Sequence, residues 1–155
     1  PKPAPKDVMT KDLETQSFLV LNIGYRVPVI LYCAAIFVHS SSPVALGMDP
    51  YFPGFDKILH FAGYAFLGVL VFRWLRREKP ALKPFTVAVL ASVFSMLYGL
   101  SDEIHQSFVA RRSCEALDLL ADSAGGAVGA FVCRAVEKGW RGKRKSVGEE
   151  REDTG

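Results

Sequence analysis

The sequence predicts an all-α membrane protein, a bundle of four helices that each cross the bilayer. The chain has 155 residues, which is the length of a single domain. Half of its residues are hydrophobic and 23% are charged, giving a mean hydropathy of only +0.18. The charges are segregated, however, into patches that separate four charge-poor segments. This composition excludes a disordered chain and a collagen-like fibre, and three cysteines are too few for a disulfide scaffold.

The four charge-poor segments have the length and composition of membrane-spanning helices. A helix rises about 1.5 Å per residue, so that roughly 20 residues cross a hydrocarbon core of about 30 Å. The predicted spans cover residues 25–41, 56–74, 84–100 and 117–136. The first is the weakest because it is short and flanked by Arg26 and His39, and Asp118 and Asp122 interrupt the fourth. The alternative is a soluble helical domain, but its buried helices would keep a polar stripe, which residues 85–100 lack.

Small residues indicate the helix faces that meet inside the bundle. Helices in lipid approach closely where their side chains are small. One such stripe in the third span consists of Ala88, Ser92, Ser95 and Gly99. In the fourth span, Gly125 and Gly129 form a GxxxG motif.

Lysine and arginine predict the orientation, because cytoplasmic loops are enriched in them. With both termini in the cytoplasm, 16 of the 19 Lys and Arg residues lie on the inner side and three on the outer side. We therefore expect a cytoplasmic or interfacial segment over residues 1–25 and a transmembrane domain over 26–136. A charged, disordered cytoplasmic tail is expected over 137–155.

Ionisable residues gather at the predicted outer ends of three spans. A charge inside a span costs about 2.5–3.5 kcal/mol on insertion scales, so such residues tend to face the bundle interior and to mark function. Spacings of three and four residues place the members of each cluster on one helix face. The clusters are Asp56 with His60, Asp102 with His105 and Gln106, and Asp118 with Asp122. Glu103 and Glu115 are expected to be solvated, and His39 is interpreted as an interfacial residue outside the site.

Imidazole beside carboxylate is suited to proton transfer, because the carboxylate fixes the tautomer and supports the cation. We assign this catalytic role to His60 and His105, oriented by Asp56 and Asp102. The same groups could instead hold a divalent metal ion, which leaves the cofactor open. A third interpretation is structural, since polar groups also tie membrane helices together at about 0.6 kcal/mol per bond.

Two arginines in the third loop predict an anionic ligand, because guanidinium presents a planar fork that matches phosphate or carboxylate. The predicted substrate-binding residues are Gln106, Arg111, Arg112, Asp118 and Asp122. The expected partners are membrane lipids or a lipid-linked anionic ligand. No nucleic acid is expected, because the basic tail is interpreted as an anchor beside anionic headgroups.

Three motifs, in order, resemble the VanZ-like family of small bacterial membrane proteins. They are DKILHFAGYAFLG, YGLSDEIHQSFVARRS and ALDLLADSAGGAVGA, and the resemblance runs from about Asp56 to Ala130. The family's pattern is D-K-x-x-H, then D-E-x-H-Q-x-F-x-P-G-R, then D-x-x-x-N. Two departures stand out: VARRS replaces the usual V-P-G-R-S, and Asp122 stands where the family commonly has Asn.

The resemblance implies a multi-pass protein of the bacterial inner membrane, in a family whose eponymous member is associated with low-level teicoplanin resistance. Teicoplanin acts at cell-wall precursors on the outer face, where the charge count also places the three clusters. The expected function is therefore to bind or process an anionic lipid or a lipid-linked cell-envelope intermediate. The alternatives are a proton-coupled carrier and a non-catalytic structural subunit of the membrane.

Overall fold

Four helices make up the fold of this computed structural model, which describes residues 16, 18–20, 22–42, 54–109 and 115–152, with side chains up to Arg144. Helix α1 spans Val27–Ser40 and follows a π-helical turn over Asn22–Arg26. Helices α2, α3 and α4 span Phe55–Glu78, Pro84–Gln106 and Ala116–Glu152. The described ranges contain no strand. The predicted all-α, four-helix membrane fold is confirmed.

All four helices are long and apolar enough to cross a membrane. The candidate spans are Phe18–Ser40, Phe55–Glu78, Pro84–Gln106 and Ala116–Arg144. Large apolar side chains lie on the outside of the bundle as well as in its core, as expected of helices in lipid. The exposed ones include Ile30, Leu31, Phe66, Leu97 and Val128. The candidate first span starts at Phe18, ahead of the predicted boundary at residue 26, and the π-helical turn over Asn22–Arg26 runs directly into α1.

Proline and glycine set the starts of three helices. Pro84 opens α3, where its fixed φ suits the first turn and its missing N–H leaves no donor unsatisfied. Pro28 stands in the first turn of α1 in the same way. Gly54 precedes α2 at a φ of +87°, in the left-handed region that glycine adopts without steric cost.

Helices α2 and α4 pack backbone to backbone. A Cβ atom on Gly125 would collide with the carbonyl oxygen of Phe61, and one on Gly129 with that of Ala65. A Cβ atom on Gly68 would likewise meet the carbonyl oxygen of Gly126. The GxxxG motif is thus a packing face, and it fixes how α4 lies along α2.

The small-residue stripe of α3 faces α4, as predicted. Ala88, Ser95 and Gly99 are buried, whereas Ser92 is partly exposed and bonds the carbonyl of its own helix. A Cβ atom on Gly99 would lie 2.9 Å from the Cβ of Asp122. One close part of this contact therefore lies beside a candidate site residue.

Helix α4 continues through the tail that the sequence predicts to be disordered, since residues 137–152 are helical. Adding residues to a formed helix needs no new nucleus, and this stretch contains no proline. Glu137 and Arg141, one turn apart, form an ion pair of 2.7 Å on the extension. Charge content alone was a poor guide here, because Glu, Lys and Arg are also good helix formers.

Arginine–glutamate pairs join the helices at the end of the bundle where α2 finishes, which we call the arginine end. Arg76 of α2 makes a two-pronged contact with Glu137 of α4, at 2.8 and 3.0 Å. Arg26, just before α1, pairs with Glu78 of α2 at 2.9 Å. These pairs tie the first, second and fourth helices together.

Candidate functional site

The opposite end of the bundle collects the predicted functional residues, and we call it the site end. The chain runs up and down, so that α1 and α3 finish here while α2 and α4 begin here. Hydrogen bonds join side chains from all four helices, linking Ser40 of α1 to Asp102 of α3 and His60 of α2 to Asp122 of α4. The sequence predicts His60, Asp102 and Asp122 at one depth; the structure brings His60 into contact with Asp122, and Asp102 into contact with Ser40, which was not predicted.

An acid–imidazole cluster of His60, Glu103 and Asp122 lies between α2, α3 and α4. The Nδ1 atom of His60 lies 3.0 Å from Oδ1 of Asp122. One potential ligand atom from each of the three residues lies within 4.8 Å of the others. Asp122 is 0% exposed and Glu103 is 1% exposed.

The burial of Glu103 corrects the prediction that it is solvated. Its Oε2 atom accepts the backbone N–H of Glu115 at 3.0 Å, at the start of α4. The signal was present in the sequence: the stripe through Ser95 and Gly99 reaches Glu103 after one further turn, and then Gln106. Residues on the face that packs against α4 are buried even at the end of the helix.

Three polar atoms in the cluster or close to it are buried without a hydrogen-bond partner among the described residues. They are Oδ2 of Asp122, Oε1 of Glu103 and the hydroxyl of Tyr64. Burying an ionised carboxylate costs several kcal/mol unless partners compensate its charge and its lone pairs. The cluster therefore does not stabilise the bundle as it stands, which is typical of a site that holds a proton, a cation or a ligand.

Asp102 belongs to a second network, in which one of its carboxylate oxygens accepts two hydrogen bonds. Its Oδ2 atom accepts hydrogen bonds from the hydroxyl of Ser40 at 2.8 Å and from Nε2 of Gln106 at 3.0 Å. The Gln106 amide also donates to the Ser40 hydroxyl at 3.3 Å. Gln106, a predicted substrate-binding residue, is thus a buried neighbour that positions Asp102.

Both predicted acid–imidazole pairings are wrong in their partners. His60 bonds Asp122 of α4 rather than Asp56 one turn before it. The Nε2 atom of His105 lies 2.9 Å from the Ser41 hydroxyl, and its ring packs 4.5 Å from that of Phe37. Residues four apart on a helix share a face, but that face points at a neighbouring helix, which supplies the nearer partner.

Lys57 gathers the carboxylates at the rim of the site. Its Nζ atom lies 2.8 Å from Asp118, 2.8 Å from Glu115 and 3.0 Å from Asp56. The Asp56 side chain is 54% exposed, whereas that of Asp118 is 9% exposed. Sequence reasoning gave Lys57 no role, although it follows Asp56 directly in the DKILH motif.

A cavity of about 240 Å³ lies between α1 and α2 and reaches α3. Apolar and aromatic residues form most of its wall: Tyr32, Ala35, Ile36, Leu59 and Gly63. Its polar lining comes from His39, Ser40, His60, Tyr64 and Asp102. The cavity therefore joins two of the three predicted clusters, through His60 and Asp102, while Asp118 lies with Lys57 at the rim. Arg111 and Arg112 lie outside the described residues, and their phosphate-binding role stays a prediction.

These features define a multi-pass α-helical membrane protein with a buried polar site at one end of its bundle. The chain belongs to the VanZ/LLP1 family, whose sequence profile matches residues 7–137 and so covers most of it. This confirms the resemblance found in the three motifs. No curated protein and no solved structure shows significant similarity to the chain.

Proposed function

We propose that this VanZ-family protein binds, at its site end, an anionic lipid or lipid-linked cell-envelope intermediate on the outer side of the bacterial inner membrane. The observation that carries the proposal is the amphipathic cavity. Its wall of Ala35, Ile36 and Leu59 suits a hydrocarbon chain, and its floor of Ser40, His60 and Asp102 suits a polar headgroup.

The cavity favours entry from the side of the bilayer. Leu59 lines it and is 49% exposed on the apolar surface of the bundle, so that the wall continues into the lipid-facing exterior. Cavities that enclose a drug-sized ligand measure about 300–1,000 Å³. At about 240 Å³, this cavity suits a headgroup and the first methylenes of a chain that otherwise stays in the membrane.

An anionic headgroup needs positive charge, and Lys57 is the only lysine or arginine at the site end among the residues that the structure describes. It already faces three carboxylates. The predicted additional donors are Arg111 and Arg112, in the loop between α3 and α4. His60 and Asp102, which face the cavity, are the groups we assign to proton transfer with the bound headgroup.

The outward orientation rests on the distribution of Lys and Arg, and family membership supports a link to glycopeptide resistance. Cys114, in the loop between α3 and α4, tests the orientation. With Cys33 and Cys133 replaced, a membrane-impermeant thiol reagent is expected to label Cys114 in intact cells. Labelling only after permeabilisation would place the site end in the cytoplasm.

A pair of neighbouring alanines tests the lipid site. Both alanines are exposed on α1, but Ala35 lines the cavity and Ala34 does not. Ala35→Trp is expected to fill the cavity and to weaken binding of a polyprenyl phosphate to the purified protein by at least tenfold. Ala34→Trp, with the same added bulk, is expected to bind as the unmodified protein does. Equal binding by both variants would exclude this cavity as the lipid site.

A proton-coupled carrier is the second candidate, favoured by the buried unpartnered oxygens of Glu103 and Asp122. Proteoliposomes separate the two functions. A carrier moves protons with its substrate across the vesicle membrane and returns the substrate unchanged. An enzyme converts a polyprenyl-phosphate substrate without net transport.

A further inference from the structure

The acid–imidazole cluster of His60, Glu103 and Asp122 has the composition and the geometry of a metal site. A metal ion at about 2.0–2.6 Å from nitrogen and oxygen ligands holds opposite ligands roughly 4–5 Å apart. The potential ligand atoms of the three residues all lie within 4.8 Å of one another. One ion can therefore reach all three without a change of backbone.

The unpartnered carboxylate oxygens point independently to a ligand. Asp122 and Glu103 are at least 99% buried, and each has an oxygen, Oδ2 and Oε1 respectively, without a hydrogen-bond partner among the described residues. The remaining interactions of the cluster hold it in place: the backbone N–H of Glu115 fixes Glu103, and close packing against Gly99 fixes Asp122. The cluster is therefore preorganised and carries acceptors in excess of its donors.

We propose that His60, Glu103 and Asp122 bind a divalent transition-metal ion of the Mn²⁺ or Zn²⁺ kind. One imidazole nitrogen and two carboxylates form a mixed set of ligands, which suits these ions, whereas Ca²⁺ and Mg²⁺ prefer oxygen alone. Three protein ligands leave further coordination positions for water or for a ligand. His60 lines the cavity, so the ion would lie next to it.

The neighbouring acidic cluster of Asp56, Glu115 and Asp118 is not proposed as a second site. Its potential ligand atoms are also close together, but Lys57 bonds all three carboxylates. An ion there would have to displace a lysine that already neutralises them. The difference between the clusters supplies the control for the experiment.

The inference goes beyond the proposed lipid function and is tested with the ion alone. The full chain, purified in detergent and stripped with a chelator, is titrated with Mn²⁺ and with Zn²⁺. Binding is followed by calorimetry, by the electron paramagnetic resonance of Mn²⁺ and by elemental analysis. The unmodified protein is expected to bind one ion per chain.

Asp122→Asn and Glu103→Gln are each expected to weaken binding by more than about 100-fold, the upper end of the loss seen when outer-shell partners of a metal site are removed. Asp118→Asn makes the same substitution one turn earlier on α4 and is expected to leave the affinity unchanged. Helical circular dichroism and gel filtration establish that each variant is folded.

Two results would overturn the metal site. In the first, the folded, unmodified protein binds neither Mn²⁺ nor Zn²⁺. In the second, the substitutions fail to distinguish the two clusters: either Asp118→Asn weakens binding as much as Asp122→Asn does, or the folded Asp122→Asn and Glu103→Gln variants bind as the unmodified protein does. Because no lipid is present, these outcomes are distinct from failure of the lipid site, which is measured with Ala35→Trp.

Discussion

The two ends of the bundle treat charges between their helices in opposite ways. At the arginine end, Glu137 is paired with Arg76 and Arg141, and Glu78 is paired with Arg26. At the site end, Asp122 bonds the imidazole of His60 and Glu103 lies beside them, and both carboxylates have an oxygen without a hydrogen-bond partner among the described residues. Both ends place carboxylates between helices, but within the part of the chain that the structure describes only those at the arginine end are paired with a guanidinium.

The comparison separates charges that hold the helices together from charges that serve a ligand. Paired charges between helices lower the free energy of the bundle if their geometry is good. Uncompensated charges raise it and persist where function requires them. Substitutions at the site end should therefore change function more than stability, and substitutions at the arginine end should change stability more than function.

The largest effect is expected on activity, from Asp102→Asn at the site end. The substitution keeps the volume but removes the charge and one acceptor in the network with Ser40 and Gln106. General acid–base groups contribute about 100-fold or more, and we expect a loss of that size in conversion of a polyprenyl-phosphate substrate. The corresponding cellular measurement is the teicoplanin susceptibility of the host.

Glu78→Gln is the control for Asp102→Asn at the arginine end, because it removes one charge from a pair on the bundle surface. It is expected to retain nearly full activity. A correctly inserted, stable Asp102→Asn variant with wild-type activity would remove the catalytic assignment and leave Asp102 as polar packing at a helix end.

The next largest effect is expected on stability, from Arg76→Met at the arginine end. The Arg76 side chain is 14% exposed and that of its partner Glu137 is 25% exposed. Breaking a buried pair costs about 3–5 kcal/mol, and partial exposure lowers the expected loss to about 2 kcal/mol. Thermal unfolding in detergent measures it, and activity per folded molecule should not change. If activity per folded molecule fell together with stability, the arginine end would also contribute to function.

Glu103→Gln in metal-free protein is expected to have a smaller effect on stability than Arg76→Met, and one of opposite sign. Glutamine keeps an acceptor for the backbone N–H of Glu115 while removing an uncompensated negative charge beside Asp122. We expect the free energy of unfolding to stay unchanged or to rise by about 1 kcal/mol, while activity falls. A destabilisation as large as that of Arg76→Met would show that the two ends do not differ.

The smallest effect is expected from Ser92→Ala, between the two ends. The Ser92 hydroxyl bonds the carbonyl oxygen of Ala88 in its own helix, so no contact between helices is lost. The change in stability should stay below about 0.6 kcal/mol, the mean for one bond between membrane helices. A larger loss, measured by thermal unfolding, would show that small residues and not charged ones determine the stability of the bundle.

The fold could be predicted because its causes are local. Length, apolar composition and segregated charge determine a membrane helix without reference to any other part of the chain. The same reasoning placed Asp102, His60 and Asp122 at one end of the bundle, since alternating helices bring these positions to one depth. The family motifs added the order of the three clusters.

The partners of the site residues could not be predicted, because they depend on contacts between helices. Spacing places His60 with Asp56 on one face, but the bond to Asp122 depends on how closely α4 approaches α2. Gly125 and Gly129 permit that approach, and nothing in the spacing of the charged residues reveals it. The solvated interpretation of Glu103 failed for the same reason, since its environment is formed by α4.

The backbone contact between α2 and α4 also determines when the acid–imidazole cluster can form during biosynthesis. Chains emerge from the ribosome with the N-terminus first, and α4 is the last of the four spans to be made. Until the glycines of α4 pack against Phe61 and Ala65 of α2, His60 lacks its hydrogen-bond partner Asp122. Glu103 likewise lacks the backbone N–H of Glu115. A nascent chain that stops before α4 already contains three membrane spans and the residues that line the cavity, but it lacks Asp122, so the acid–imidazole cluster forms only with the final insertion step.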